Sequence, residues 1–221
     1  MIGMRIASAG AMAATLVLAA LVGCVDQRSG GERPGKAEVQ RASSHGMDMR
    51  AGEALHGDFA HKELVVLDDP VEAPGEFTGD LEALYGLYRE LAQAFVGDEA
   101  ARADGVAGRM RRAVGGIDSS GLDAAASAAW QGHEGVMRTS LHQLTLAAGI
   151  EEKREHFSHL SEAMYCALRS FGGLDHAVYV AYCPMAANER GAYWLADDRE
   201  ISNPYMGSKM ARCGEVKEVI E

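Results

Sequence analysis

Basic residues are in short supply. The chain sets 21 Lys and Arg against 32 Asp and Glu, a formal charge of −11 over 221 residues. Nucleic-acid binding needs clustered cations to track phosphates, so that class of partner is excluded, whereas capture of cations is not. The apolar run from Ala11 to Val22 is too short to prefer spanning a bilayer. No Gly-rich phosphate cradle, oxyanion loop or oriented Cys–His pair can be read, so no enzyme is expected. Cysteine is sparse at four in all, and two of these, Cys183 and Cys213, fall in one stretch.

The beginning of the chain, 1–24, has the pattern of an export signal: Arg5, the apolar run, then Leu21-Val22-Gly23-Cys24. These last residues resemble a bacterial lipobox, which implies lipidation of Cys24 and a membrane anchor. With Val25 following rather than aspartate, the default location is the outer membrane, facing the periplasm. Residues 25–75 turn to Gly, Ser, Arg, Glu and Asp with little periodicity and read as a flexible tether. Within it Ser44-His45-Gly46-Met47-Asp48-Met49, with His56 and His61 beyond, is either a loose Cu(I) capture site or a polar linker with chance methionines.

Residues 76–221 read as one helical domain. Leu81, Leu84, Tyr85, Tyr88, Leu91, Ala92 and Phe95 make one stripe of a helix from Thr78 to Val96. Asp98 is placed to cap a second helix, Glu99 to Val114. Gly105 and Gly108 weaken that helix. A third runs from Leu122 to Ala148, with Trp130, His133, Met137, Leu141 and Leu144 on one face. A fourth runs from Glu151 to Gly172, with Phe157, Leu160, Met164, Leu168 and Phe171. The short connections predict an up-and-down four-helix bundle with a small β or irregular C-terminal segment packed on it. Cys166 reads as a small buried residue, and His142 and His176 as exposed.

The chemistry concentrates between Val178 and Glu215. Val178 to Tyr182 alternates as a strand, so Cys183 and Met185 are expected to project together, with Pro184 between them. Lys209 to Cys213 reads as a helical turn that pairs Met210 with Cys213. Thiolate and thioether donors select Cu(I) over zinc or hard cations. A Cys183–Cys213 disulfide, worth roughly 3–4 kcal/mol on the chain-entropy model, is the alternative. His133 or His156 would complete a metal site if the segment folds over one end of the bundle.

The runs Tyr182-Cys183-Pro184-Met185, Gly191-Ala192-Tyr193-Trp194-Leu195, Asn203-Pro204-Tyr205, Gly207-Ser208-Lys209-Met210 and Cys213-Gly214-Glu215 resemble an uncharacterised bacterial domain family, a domain of unknown function. Arg154-Glu155-His156-Phe157 also looks like that family. The family occurs alone in exported proteins and appended to periplasmic adaptor subunits of copper and silver efflux pumps. The resemblance implies a helical domain with a heavy-metal association, adds weight to the copper reading and ranks His156 above His133. The expected site is therefore Cys183, Met185, Met210, Cys213 and His156, with Cu(I) as the ion and efflux-pump components as partners. A structural or adaptor-docking module stapled by Cys183–Cys213 is the other function class.

Overall fold

The computed structural model describes Leu55 and residues 59–221. The lipobox with Cys24, and His45, Met47, Met49 and His56 of the tether, lie outside the described residues. Four long helices, α1 (Gly75–Val96), α2 (Ala100–Val114), α3 (Ala124–Leu146) and α4 (Ile150–Phe171), lead into a small sheet of β1 (Val178–Cys183), β2 (Ala192–Ala196) and β3 (Glu215–Ile220). Consecutive helices pack as neighbours and α1 also meets α4, which closes the up-and-down bundle. The sheet is antiparallel in the order β2-β1-β3, and β2 lies against α4.

The apolar stripes explain the packing. Leu81, Leu84, Tyr85, Tyr88, Leu91 and Phe95 of α1 are buried, as are Trp130, Met137, Leu141 and Leu144 of α3 and Phe157, Leu160, Met164, Leu168 and Phe171 of α4. Each such side chain contributes roughly 1.5–3 kcal/mol of transfer free energy. Aromatic rings interlock at both levels of the bundle. Phe77 stands edge-on to Trp130 at 5.1 Å, and Phe157 lies 5.1 Å from both Tyr88 and Phe95. Cys166 is fully buried among them, as its small apolar character predicts. His142 is exposed, whereas His176 is half-buried beside Asp175 and Asp197.

Residues 59–74, within the expected tether, are docked. Phe59 and Leu64 are buried, and Phe59 meets Tyr165 and Tyr193 edge-on at 5.2 and 5.6 Å. His133 bonds the carbonyl of Val65 through Nε2 at 2.8 Å, and Ser170 receives the backbone N–H groups of Leu67 and Val71. His133 therefore fastens this segment to α3.

Asp98 departs from expectation. Helix α2 takes Glu99 as its N-cap, with no side-chain cap, while Asp98 sits at φ +57° and turns its carboxylate away. It accepts from Arg154 Nη2 at 2.6 Å and from the Ser208 amide and hydroxyl at 3.1 and 2.5 Å. Arg154, whose side chain is only 4% exposed, also donates to the carbonyls of Phe95 and Pro204 at 2.7 Å each. One guanidinium thus joins the end of α1, the start of α4 and the C-terminal loop. A three-way polar knot outweighs a local cap because a buried Arg left short of partners costs several kcal/mol.

Gly207 completes the knot at φ +52°, where an added Cβ would overlap the Asp98 carboxylate and the Arg154 guanidinium. Gly207→Ala is therefore expected to cost at least about 2 kcal/mol, a fall of roughly 4–8 °C in melting temperature by calorimetry. The Ser208 hydroxyl first, then Arg154, pulls the Asp98 carboxyl from 3.8 down to about 2. A depressed folded-state pKa adds stability above the ordinary value and loses it as pH falls toward the folded value. The melting-temperature gap between wild type and Asp98→Asn should thus be widest near neutrality and close between about pH 4 and 2. A gap that does not change with pH would contradict the assignment.

Candidate metal centre

Two of the predicted ligands meet. Cys183 closes β1, Cys213 precedes β3, and their sulfurs are 2.9 Å apart as free thiols. The contact depends on strand register. Val180 pairs with Glu218, but Ala181 pairs with Val216, so β3 carries an extra residue at Lys217. Had the first register continued, Cys183 would stand opposite Glu215. The bulge instead draws Gly214 level with it and Cys213 alongside. Gly214 permits this at φ +131°, since any Cβ would lie 2.7 Å from the Trp194 ring and 2.8 Å from the Tyr182 carbonyl.

Asn203 holds the other side of the loop. It is fully buried, donates from Nδ2 to the Cys213 carbonyl at 2.6 Å, and accepts through Oδ1 from the amides of Tyr205 and Met206 at 2.8 and 3.1 Å. Its own amide donates to the Ala211 carbonyl at 2.9 Å. Tyr205 then ties the loop to the bundle, donating its hydroxyl to the Tyr193 carbonyl at 2.5 Å, with Ser161 Oγ 3.3 Å from the same oxygen. Tyr88 shares that Ser161 hydroxyl and receives the Leu195 amide of β2. Sequence reading treats Asn203-Pro204-Tyr205 as a turn and Arg154 as part of a motif. The signal for their roles is polar side chains able to satisfy several backbone groups at once, but only the fold reveals which groups need them.

The two sulfurs differ. Cys183 is buried, while Cys213 is partly exposed. Hydrogen bonding to Cys183, with burial second, raises the Cys213 thiol above its ordinary pKa. An ion that binds two thiolates displaces the thiol protons, so such binding strengthens as pH rises. Cys166 lies apart in the core, its thiol pushed far up by burial and then by the charge of Glu162.

The thioethers do not share the cysteines' environment. The strand ends at Cys183, and Met185 adopts helical torsions (φ −84°, ψ −11°), so the alternation that would aim both side chains together stops at Pro184. Met185 is 46% exposed and, with Met206, Tyr205, Glu151, Glu155 and Glu189, lines an open cleft of about 590 Å³. Met210 is equally exposed; its carbonyl accepts from the Cys213 amide at 3.0 Å, but Met210 sits at φ −147°, ψ 56°, so a tight turn replaces the helical turn expected there. His156 is half-buried on α4 and its charge bears on His159. Among the described residues it makes no hydrogen bond or ion pair with either cysteine. The structure thus brings the two thiols together, leaves Met185 and Met210 exposed at the surface, and gives His156 no bond to either sulfur.

The helical part of the chain has a counterpart in a known family. The model of DUF3347, described as a protein of unknown function, matches residues 84–176. That span runs from within α1 to the approach to β1, so the cysteine-bearing segment lies beyond it. No curated protein and no solved structure matches the chain. The chain is thus similar, over its bundle, to an uncharacterised domain of unknown function.

Proposed function

We propose that the protein binds a heavy-metal ion, Cu(I) foremost, through Cys183 and Cys213, and sequesters it or delivers it to an efflux system. Lipidation at Cys24 would hold it at the cell envelope, outer membrane by default, with the bundle facing the periplasm. Binding, not catalysis, is the activity. Among the described residues no helix is long and apolar enough to cross a membrane.

The observation that carries the reading is the 2.9 Å approach of two thiols, one closing β1 and the other in the loop just ahead of β3. Two thiolates on one tetrahedral ion, at a metal–sulfur length of about 2.3 Å, stand about 3.8 Å apart. A disulfide brings them to about 2.05 Å. The pair sits between these, and a shift of about 0.9 Å reaches either state. The donor set fits a soft ion: two thiolates, with the thioethers of Met185 and Met210 free to swing in from the surface. The same closeness favours the second reading, an oxidised Cys183–Cys213 staple in an adaptor-docking module, since an exported protein meets oxidising conditions.

An anaerobic Cu(I) titration against a chromophoric chelator, with thiols counted on the same sample, separates the two. Reduced protein should withdraw one Cu(I), and thiol reactivity among the three described cysteines should fall to that of Cys166. Cys183→Ser should abolish tight binding, while Met185→Leu should only weaken it. Equal affinity in Cys183→Ser and wild type defeats the metal assignment. Protein isolated without reductant in which Cys166 alone is ever free establishes the staple instead.

A further inference from the structure

A second group of ligand-type side chains lies on another flank of α4, well separated in donor character from the sulfur pair. We propose that His61, His159 and Glu162 hold a borderline divalent transition ion, Zn²⁺ or Cu²⁺, that fastens the incoming N-terminal segment to α4. Among the described residues these three are the group whose ligand atoms converge, all within 4.8 Å of one another. Imidazole with carboxylate is the donor set of such ions, and it is harder than the thiolate pair.

Each residue is prepared for the task. His159 and Glu162 are three apart on one helix and so share a face. Glu162 accepts the backbone N–H groups of Ala60 and His61, at 2.9 and 3.1 Å, one on each oxygen. Those bonds fix the carboxylate and bring His61 onto it, and each oxygen keeps a further lone pair. His61 Nδ1 lies 2.8 Å from Glu63 Oε1. An ionised carboxylate only accepts, so Nδ1 is the donor of this bond, and the neutral ring of that tautomer presents the Nε2 lone pair to an ion. This carboxylate–imidazole arrangement is the one that orients metal-bound histidines.

The His61 and His159 rings meet edge-on at 4.8 Å between centroids. His159 Nδ1 is shielded from solvent and has no hydrogen-bond partner among the described residues. Burial is the first cause that lowers the His159 pKa from its ordinary value. Tetrahedral ligation at 2.0–2.1 Å places donors about 3.4 Å apart, so ring rotation closing about 1.4 Å completes the site. Three protein ligands leave a fourth position for water or an incoming donor.

The test uses the full chain in detergent with Cys183→Ser and Cys213→Ser, so that the sulfur pair cannot contribute, and Co²⁺ as the probe. About one Co²⁺ per chain should bind with the visible d–d bands of a tetrahedral nitrogen and oxygen site and no thiolate charge-transfer band. His61→Ala and His159→Ala should each weaken binding by more than the roughly 10–100-fold that losing an outer partner costs, and Glu63→Gln by about that amount. The His61 side chain is 27% exposed, so its variant should retain the metal-free melting temperature and decides the matter if His159→Ala fails to fold. Absence of d–d bands, or Co²⁺ affinity unchanged in His61→Ala with His45 and His56 intact, overturns the proposal. Neither result touches the sulfur site, which the test protein lacks.

Discussion

A single buried charge fixes where the C-terminal segment can lie. Arg154 is enclosed by α1, α4 and the loop from Asn203 to Ser208, and its guanidinium is satisfied only when all three are in place. Charges taken out of water tolerate few arrangements, because every unpaired donor raises the energy steeply. The knot therefore acts less as glue than as a selector. It rejects positions of the loop that would satisfy its apolar residues but strand the guanidinium. Asn203, and through it Cys213, inherits its place from that selection.

Helix α4 carries several tasks on different faces. Phe157, Leu160 and Met164 build the core, Arg154 holds the loop, and His159 with Glu162 receives the N-terminal segment. One turn further, Tyr165 donates to the buried Glu218 of β3 at 2.9 Å, with Arg169 beside it. Glu218 is held above its ordinary pKa by burial, which its partners only partly offset. A helix with partners on so many faces cannot be replaced by a generic amphipathic segment, and this explains why so many of its residues are buried or half-buried.

The helices were legible because burial writes itself into spacing. Tyr85, Tyr88, Leu141 and Phe157 all fall on the stripes that their 3.6-residue period defines, and each helix starts and stops within a few residues of its turn and capping signals. Strand β1 was legible for its alternation, to within its last residue. The pairing of β2 and β3 was not, because register depends on a bulge at Lys217 that no local pattern marks. Arg154 and Lys153 sit in a charged run with no local mark of burial, yet both are buried, Lys153 against Asp104 and the Leu144 carbonyl. Meeting of the two cysteines was readable from their context, whereas the divergence of Met185 from Cys183 turns on where the strand ends. The docking of residues 59–74 was hidden for a related reason, since Phe59 and Leu64 are single anchors without periodicity.

The central place of β1 governs when the sulfur pair can exist. The helices make mostly neighbour-to-neighbour contacts, which form early, while β1 must wait for β3, some forty residues onward, before its second edge is filled. As the chain folds, the bundle can therefore be largely formed while Cys183 and Cys213 are still strangers. In that interval each thiol is open to other oxidants, thiols or ions on its own. The last strand to arrive decides the fate of both sulfurs, which makes the order of folding as important to this centre as its final geometry.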